Sequence, residues 1–394
     1  MGFGTLAIIA VAGLIGPLLA LRSGWNIPVV LGELVAGLVL GATGFGWLDA
    51  ADPTFTFLAD IGFALVMFVA GSHVPIRDPN LRRGIRPALL RAIAVGVIAA
   101  VLGVLLSTVF DTGHAALYAV LMASSSAALI LPIVDSLRLT GPAVLQLLPQ
   151  VAVADAACIV ALPLVIDPAN AGRAALGATA VIGCAVGTYF LLRSFEKSGV
   201  RRRVHRISRT RKFAVELRIS LAILFTLAAV AVGTHVSIML AGFAFGLVIA
   251  AIGEPRRLAK QLFGLTEGFL GPLFFIWLGA SLNVRDLTGE PSLILLGLLL
   301  GFGALLAHIA MRATGQPLAI GALACAQLGV PVAAATLATQ LHLLAPGEAP
   351  ALILGALVTV VVTVIAAGVA ARGPATQEPP PATSEPPPAT SPAE

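Results

Sequence analysis

The chain has 394 residues, of which 58% are hydrophobic and 11% are charged, and its formal net charge is +5. A mean hydropathy of +0.99 with so few charges excludes a soluble globular protein of this length. The apolar segments are about 18 to 24 residues long, which fits membrane-spanning helices and excludes a β-barrel built from alternating strands of about ten residues. The composition therefore predicts an all-α polytopic membrane protein.

Thirteen apolar segments lie between charged or Gly- and Pro-rich breaks. They are near residues 5–21, 27–44, 57–73, 87–109, 115–134, 143–166, 171–192, 213–232, 236–252, 262–282, 292–312, 317–341 and 350–371. With the N-terminus outside and the C-terminus inside, almost every Lys and Arg of the connecting segments falls in the cytoplasm, as the positive-inside rule requires. One segment more or fewer would disrupt this alternation, so we predict thirteen spans.

The two halves of the chain resemble each other. Gly32–Gly41 is similar to Ala241–Ala250, and Phe68–Asp78 is similar to Ile276–Asp286, at offsets of 209 and 208 residues. The second and ninth predicted spans carry the first match, so the two copies must cross the membrane in opposite directions. This pattern predicts an inverted-topology repeat, an architecture typical of secondary transporters.

The predicted transmembrane domain covers residues 1–373, with repeat 1 at about 27–166 and repeat 2 at about 236–371. The polybasic segment 193–212 is a predicted cytoplasmic linker that sets topology and, as a secondary effect, contacts anionic lipid head groups. Nucleic-acid binding is not expected of it. Residues 374–394 repeat the sequence EPPPATS, which predicts a disordered, extended Pro-rich cytoplasmic tail.

Asp155 is the only ionisable residue in the apolar segment 144–165. A carboxylate at that depth costs free energy and marks a functional site by default. The alternative is an acid that is tolerated because its helix neighbours satisfy it. As a functional group, Asp155 could bind either a proton or a monovalent cation, and the two would compete for it.

Two helix breaks are predicted. The first lies at Ser124 to Ser126, inside an apolar segment, because serines compete for main-chain hydrogen bonds; the same serines could also be ordinary packing residues. The second lies close to Gln327, at Gly329 and Pro331. Opposed half-helix ends near Asp155 would supply dipoles and carbonyl oxygens, which suit a small hard cation.

Residues 5 to 371 resemble the second monovalent cation:proton antiporter family, of the sodium/proton exchanger type. The similarity is carried, in order, by IPVVLGELVAGLVLG, LADIGFALVMFVAG, ASSSAALILPIV, AVADAACIVALPLV, LGPLFFIWLGASLNVRDL and LACAQLGVP. The resemblance implies a thirteen-helix homodimer in which a core domain moves as an elevator against a dimerisation domain. It also implies that Asp155 is the ion and proton site, that Ser125 and Ser126 lie at the first break, and that Gln327 lies at the second.

The chain departs from the family pattern near the expected site. Ala154 stands where relatives usually have Asp, Asn or Gln, and residues 292–306 lack the Lys or Arg that often pairs with the acidic site. His308 and Arg312 lie close to the predicted cytoplasmic end of this segment. We interpret them as an interfacial pair that reaches water, with a role at the site as the alternative.

Glu33, in the middle of LGELVAG, is a further candidate. A structural or dimer-interface role is the favoured interpretation, because buried acids usually pair, and a position in a cytoplasmic funnel is the alternative. Since Asp155 lacks both a second carboxylate and a nearby cation in sequence, we expect one-for-one, electroneutral exchange.

The sequence thus predicts a secondary antiporter, not an enzyme, that exchanges Na⁺ or K⁺ for H⁺ in a bacterial inner (plasma) membrane and carries no cofactor. The expected partners are H⁺, the monovalent cation held at Asp155, membrane lipids and a second copy of the chain. Two alternatives stay open: a transporter of another small solute, and a transport-inactive sensor or scaffold.

Overall fold

The computed structural model describes residues 1–21, 29–72, 74, 79–197, 215–234, 236–253, 256–282, 285 and 290–372. Within them the chain forms α1 (Phe3–Ala12), α2 (Ile15–Ala20), α3 (Val29–Leu40), α4 (Pro53–Ser72), α5 (Pro79–Val109), α6 (Ala115–Ala123), α7 (Ala127–Ser136), α8 (Pro142–Ile166), α9 (Ala171–Lys197), α10 (Val215–Gly233), α11 (Ile238–Ile252), α12 (Arg256–Leu265), α13 (Gly271–Ser281), α14 (Pro291–Ile309), α15 (Leu318–Ala324), α16 (Gly329–Gln340) and α17 (Glu348–Arg372). A π-helical turn, Thr266–Leu270, joins α12 to α13, and 3₁₀ turns follow α8 and α14. Most of the polybasic linker and the whole Pro-rich tail lie outside the described residues.

Nine helices in the described part of the chain are long and apolar enough to cross a bilayer. Three shorter apolar helices, Phe3–Leu19, Val29–Leu40 and Ile238–Ile252, coincide with further predicted spans. The predicted span at 115–134 is divided between α6 and α7. The all-α polytopic architecture is confirmed, whereas the number of thirteen spans and the orientation of the termini stay predictions.

The helices differ in how much of their apolar surface the protein covers. In α9 and in α10, only 22% of the 18-residue apolar stretch that could cross the bilayer is buried inside the protein. In the interrupted segment Leu318–Thr339, 78% of the corresponding stretch is buried. Since large apolar surfaces do not stay exposed to water, the outer helices must face lipid or another protein chain. The interrupted segment therefore occupies the centre of the protein.

The helices pack as two bundles. In the first, α3 packs mainly on α13 and α4 mainly on α11, with α1, α2, α10 and α12 beside them. In the second, α5 packs on α6 and α8, and α14 packs on α17, with α7, α15 and α16 between them. The bundles meet where α4 contacts α7 and where α8 contacts α11, while α9 touches both sides.

Glycines let helices of the first bundle touch through their backbones. A Cβ atom on Gly37 of α3 would lie 2.1 Å from the carbonyl oxygen of Ile276 in α13. A Cβ atom on Gly246 of α11 would lie 2.3 Å from the carbonyl oxygen of Phe68 in α4. Gly37 matches Gly246 in the repeat, and Phe68 matches Ile276, so the same contact is made twice with the repeats exchanged.

A second pair of glycine contacts is also related by the internal repeat. A Cβ atom on Gly71 would lie 2.4 Å from the carbonyl oxygen of Phe243, and one on Gly279 would lie 2.1 Å from that of Leu34. These residues also correspond between the repeats. The first bundle therefore has pseudo-twofold packing, which supports the internal repeat read from the sequence.

Substitution of Gly37 or Gly246 by Ala should lower the thermal unfolding midpoint of the detergent-purified protein. The added methyl group must displace a backbone carbonyl, and overpacking of this kind typically costs about 1–3 kcal/mol. Gly183→Ala is the matched control, because no atom lies within 4 Å of its Cβ position on α9. Equal midpoints for Gly37→Ala and Gly183→Ala would contradict the close packing.

Candidate functional site

The first predicted helix break is confirmed. α6 ends at Ala123, α7 begins at Ala127, and the three intervening serines are buried. Ser124 adopts an extended backbone conformation, and its hydroxyl donates a hydrogen bond of 2.8 Å to the carbonyl of Leu121. Ser126 is the residue before α7, and its carbonyl accepts hydrogen bonds from the N–H groups of Leu129 and Ile130 in that helix. The serine side chains thus compete with the helical hydrogen bonds, as the sequence pattern predicts.

The second break is present but lies earlier than predicted. α15 ends at Ala324 and α16 begins at Gly329, so residues 325–328 form the break. Gly329 and Pro331 lie in the first turn of α16 instead. A proline is tolerated there because the first N–H groups of a helix have no partner within the helix.

Gln327 is buried in this second break. Its backbone N–H donates to the hydroxyl of Thr359 on α17, at 3.1 Å. Its side-chain nitrogen has no hydrogen-bond partner among the described residues. The break is therefore anchored to α17 through its backbone, while one buried donor of Gln327 stays available to a ligand or water.

Asp155 lies on α8 and is only 4% exposed. Its Oδ2 atom accepts a hydrogen bond of 2.9 Å from the backbone N–H of Ala127, the first residue of α7. A helix N-terminus carries partial positive charge, so this position stabilises the carboxylate. Ala154, its neighbour, is also buried and offers no ligand. Asp155 is therefore a single buried acid held at the end of a broken helix.

His308 lies beside the first break, and the Ser125 hydroxyl next to it joins the two breaks. The His308 ring lies 1% exposed on α14, with Nδ1 2.8 Å from the carbonyl of Ala304 and Nε2 3.4 Å from the hydroxyl of Ser125. That hydroxyl donates a hydrogen bond of 2.6 Å to the carbonyl of Ala324, at the end of α15. Because the Ser125 hydroxyl has one proton, it cannot donate to Ala324 and to His308 at the same time.

The interpretation of His308 as an interfacial residue that reaches water is wrong. The polar end of α14 is formed by the 3₁₀ turn Ala310–Thr314, which carries Arg312 at the surface. His308 lies one helical turn deeper and points into the second bundle. Arg312 is exposed and does not lie with the other candidates.

Glu33 lies on α3 and is 3% exposed. It lines a cavity of about 200 Å³ between the two bundles. The same cavity is lined by Ala127, at the start of α7, and by Leu328, in the second break. Ala127 thus contacts both the cavity that Glu33 lines and the carboxylate of Asp155.

Some buried polar residues of the second bundle are not among the site residues that the sequence predicts. Gln150 on α8 and Gln316, in the turn before α15, are both buried, and the Gln316 side-chain amide donates to Gln150 at 2.9 Å. Arg91 on α5 donates to Gln146 and Thr314. The available signal was a pair of glutamines four residues apart in an otherwise apolar helix, which places both on one face.

Substitution of Ser125 by Ala should lower the thermal unfolding midpoint. It removes the hydrogen bond to Ala324 and leaves a buried carbonyl unsatisfied, which costs about 1–3 kcal/mol. Thr108→Ala is the control, because the exposed Thr108 hydroxyl bonds only to its own helix. A Ser125→Ala midpoint equal to that of Thr108→Ala would show that the two breaks are not joined through this hydroxyl.

Comparison with known proteins gives a match along almost the whole chain. A family model described as sodium/hydrogen exchanger, transmembrane, matches residues 6–372. The chain is 25% identical over 389 residues to YjbQ of Bacillus subtilis, provisionally named an Na⁺/H⁺ antiporter, covering 92% of this chain and 62% of the relative. It is 27% identical over 285 residues to a protein of Methanocaldococcus jannaschii provisionally named Na⁺/H⁺ antiporter 3, covering 69% of this chain and 70% of the relative.

Among solved structures, the chain is similar to the sodium proton antiporter MjNhaP1 of Methanocaldococcus jannaschii at pH 8. The TM-score is 0.64 with 17% sequence identity, and the match covers 94% of this chain and 97% of that chain. At this identity the likeness concerns the fold. The matches and the apolar helices together make the chain a multi-pass plasma membrane protein.

Proposed function

Because the chain belongs to the sodium/hydrogen exchanger family, we propose that it exchanges a monovalent cation, Na⁺ or K⁺, for H⁺ across the plasma membrane. Asp155 binds the cation and the proton in competition. The observation that supports this most directly is a single carboxylate, 4% exposed, at the N-terminus of α7 and beside a helix break. A buried acid without a cationic partner among the described residues needs a proton or a bound cation.

The exchange follows from this competition. When the cation binds, Asp155 releases its proton; when a proton returns, the cation leaves. Carbonyl and hydroxyl oxygens exposed by the breaks, such as those of Ser125 and Ser126, supply the oxygen ligands that hard cations prefer. The ionised, empty carboxylate cannot cross the apolar boundary, so only the two neutralised forms allow the site to change sides.

The two bundles are the moving parts in this proposal. The second bundle, which holds Asp155 and both breaks, moves as an elevator against the first, which also forms the interface of a homodimer. The main helix contacts that join the bundles are those of α4 with α7, of α8 with α11 and of the helix α9, and they are fewer than the contacts inside each bundle. Such a boundary can shift without opening either core.

Transport by one carboxylate also sets the stoichiometry. Ala154 supplies no second acid, and in the part of the chain that the structure describes no Lys or Arg contacts Asp155. One H⁺ is therefore exchanged for one monovalent cation, without net movement of charge.

Two alternatives remain as outcomes of the tests. A transporter of another small solute would need a cationic group at the site. Arg312, which follows α14, is at the surface, whereas His308 on that helix is buried beside Ser125 and would supply a charge only when protonated. A transport-inactive scaffold would explain Ala154, and it requires that no monovalent cation moves.

The direct test is proteoliposome flux with an imposed pH gradient, across Na⁺, K⁺, Li⁺ and Rb⁺. We expect one or more cations to collapse the gradient, and Asp155→Asn to lower the rate by at least about tenfold, the loss expected when the group that binds both ions is removed. Asparagine can still accept the Ala127 N–H, so the fold is kept. Asp167→Asn, at the end of the same helix, is the control and should retain activity. Full activity of Asp155→Asn, or no flux of any cation in the wild type, would refute the proposal.

Electroneutrality is tested with a membrane potential of either sign imposed on the same vesicles. A transport cycle that moved one net charge would gain or lose about 2.3 kcal/mol per 100 mV, whereas a one-for-one cycle is unaffected. We expect the initial rate to change by less than about twofold, with the Asp155→Asn vesicles as the background for leak. A steep, sign-dependent rate would show that another group carries charge with Asp155.

A further inference from the structure

The cavity between the two bundles has a buried carboxylate in its wall. Its volume is about 200 Å³, far above the roughly 10–15 Å³ that one water needs. One side is formed by α3, α4, α12 and α13 of the first bundle, and the other side by α7 and the second break. The walls are mostly apolar, with Glu33 and Glu267 as the ionisable residues among the lining residues.

Glu33 has no structural partner that explains its position. It is 97% buried, yet no hydrogen bond or ion pair to its carboxylate occurs within the described residues. Burial of an acid is costly unless the group is paired, hydrogen-bonded or in contact with water or an ion. Because Glu33 lines the cavity, its carboxylate can be satisfied only by what the cavity contains or by taking up a proton.

Glu267 places a second carboxylate at the same cavity. It lies in the π-helical turn between α12 and α13, and it is exposed. Phe263, Glu267 and Gly271 follow one another at four-residue spacing and all line the cavity. Glu33 and Glu267 line the same cavity, so their negative charges would repel each other across it. A cation between or beside them would offset this repulsion, whereas an anionic or apolar occupant would not.

The cavity also reaches the candidate site. Ala127 lines it, and the backbone N–H of the same residue holds Asp155. Leu328, in the second break, lines it as well. The residue that holds the Asp155 carboxylate is therefore also part of the cavity wall, between the two bundles that move in the proposed cycle.

We propose that Glu33, with Glu267, forms a second cation-binding site, in which a hydrated monovalent cation is held in the cavity before it passes to Asp155. The passage to Asp155 rests on the proposed exchange, whereas binding at Glu33 does not. The site raises the local cation concentration next to the helix break, in the way that a cleft lined by one sign of charge attracts counter-ions. Its carboxylates do not replace Asp155, because they lie on the other bundle.

The first measurement is transport by the full chain in proteoliposomes. Glu33→Gln should raise the cation concentration for half-maximal flux by about 3- to 10-fold with the maximal rate kept within about twofold, as expected when uniform binding is lost. Glu33→Asp, which restores the charge, should stay near the wild-type value. Glu290→Gln, an exposed acid before α14, is the matched control. A half-saturation for Glu33→Gln equal to that of Glu290→Gln would overturn the proposal.

The second measurement is direct binding of ²²Na⁺, with ⁸⁶Rb⁺ in a parallel arm, to the purified full chain at alkaline pH. We expect Asp155→Asn to retain cation binding that the Asp155→Asn/Glu33→Gln double variant has lost. Equal binding by the two variants would overturn the site. If the wild type shows Glu33-dependent binding but no flux, the exchange function is refuted. The cation-binding site at Glu33 is then still supported.

A third variant covers the case in which Glu33→Gln fails to fold. Glu267 is exposed, so Glu267→Gln should fold, and it should shift half-saturation in the same direction by a smaller factor. An unchanged half-saturation and unchanged binding for Glu267→Gln would then count against the proposal.

Discussion

The buried carboxylate of Asp155 depends on a main-chain N–H group that only a broken helix can offer. In an intact helix that N–H would bond to the carbonyl four residues earlier, and the apolar surroundings would leave the acid without a donor. The break at Ser124 to Ser126 frees the N–H of Ala127, which then bonds to Asp155 at 2.9 Å. The break and the acid therefore stabilise each other through this hydrogen bond.

Backbone groups freed by the second break also have hydrogen-bond partners. The freed carbonyl at Ala324 accepts the Ser125 hydroxyl, and the freed N–H at Gln327 donates to Thr359. His308 lies against Ser125 and links α14 to the first break. All of these groups belong to one bundle, as the proposed movement of the site requires. The helices of the first bundle are held together instead by repeated glycine contacts. The cavity that Glu33 lines lies between the two bundles.

The features that the sequence predicted correctly are those that a single segment encodes. Three serines within an apolar segment compete locally for the backbone, so the first break was predicted at its observed place. The second break was predicted a few residues too far along the chain, because Gly329 and Pro331 are equally suited to the first turn of a helix. His308 was misplaced because its depth depends on where α14 ends, and a 3₁₀ turn extends the polar end to Arg312.

The sequence by itself determined the all-α membrane architecture and the family, and it predicted the internal repeat and a role for Asp155, because hydropathy, spacing and a lone charge are properties of one segment or of two similar ones. Only the tertiary structure decided which groups meet. Ala127 and Asp155 are 28 residues apart, Ser125 and Ala324 are 199 apart, and Glu33 meets the same cavity as Leu328 from another bundle. These contacts depend on how helices pack across the repeats, and packing of apolar helices is specified by shape rather than by any local pattern.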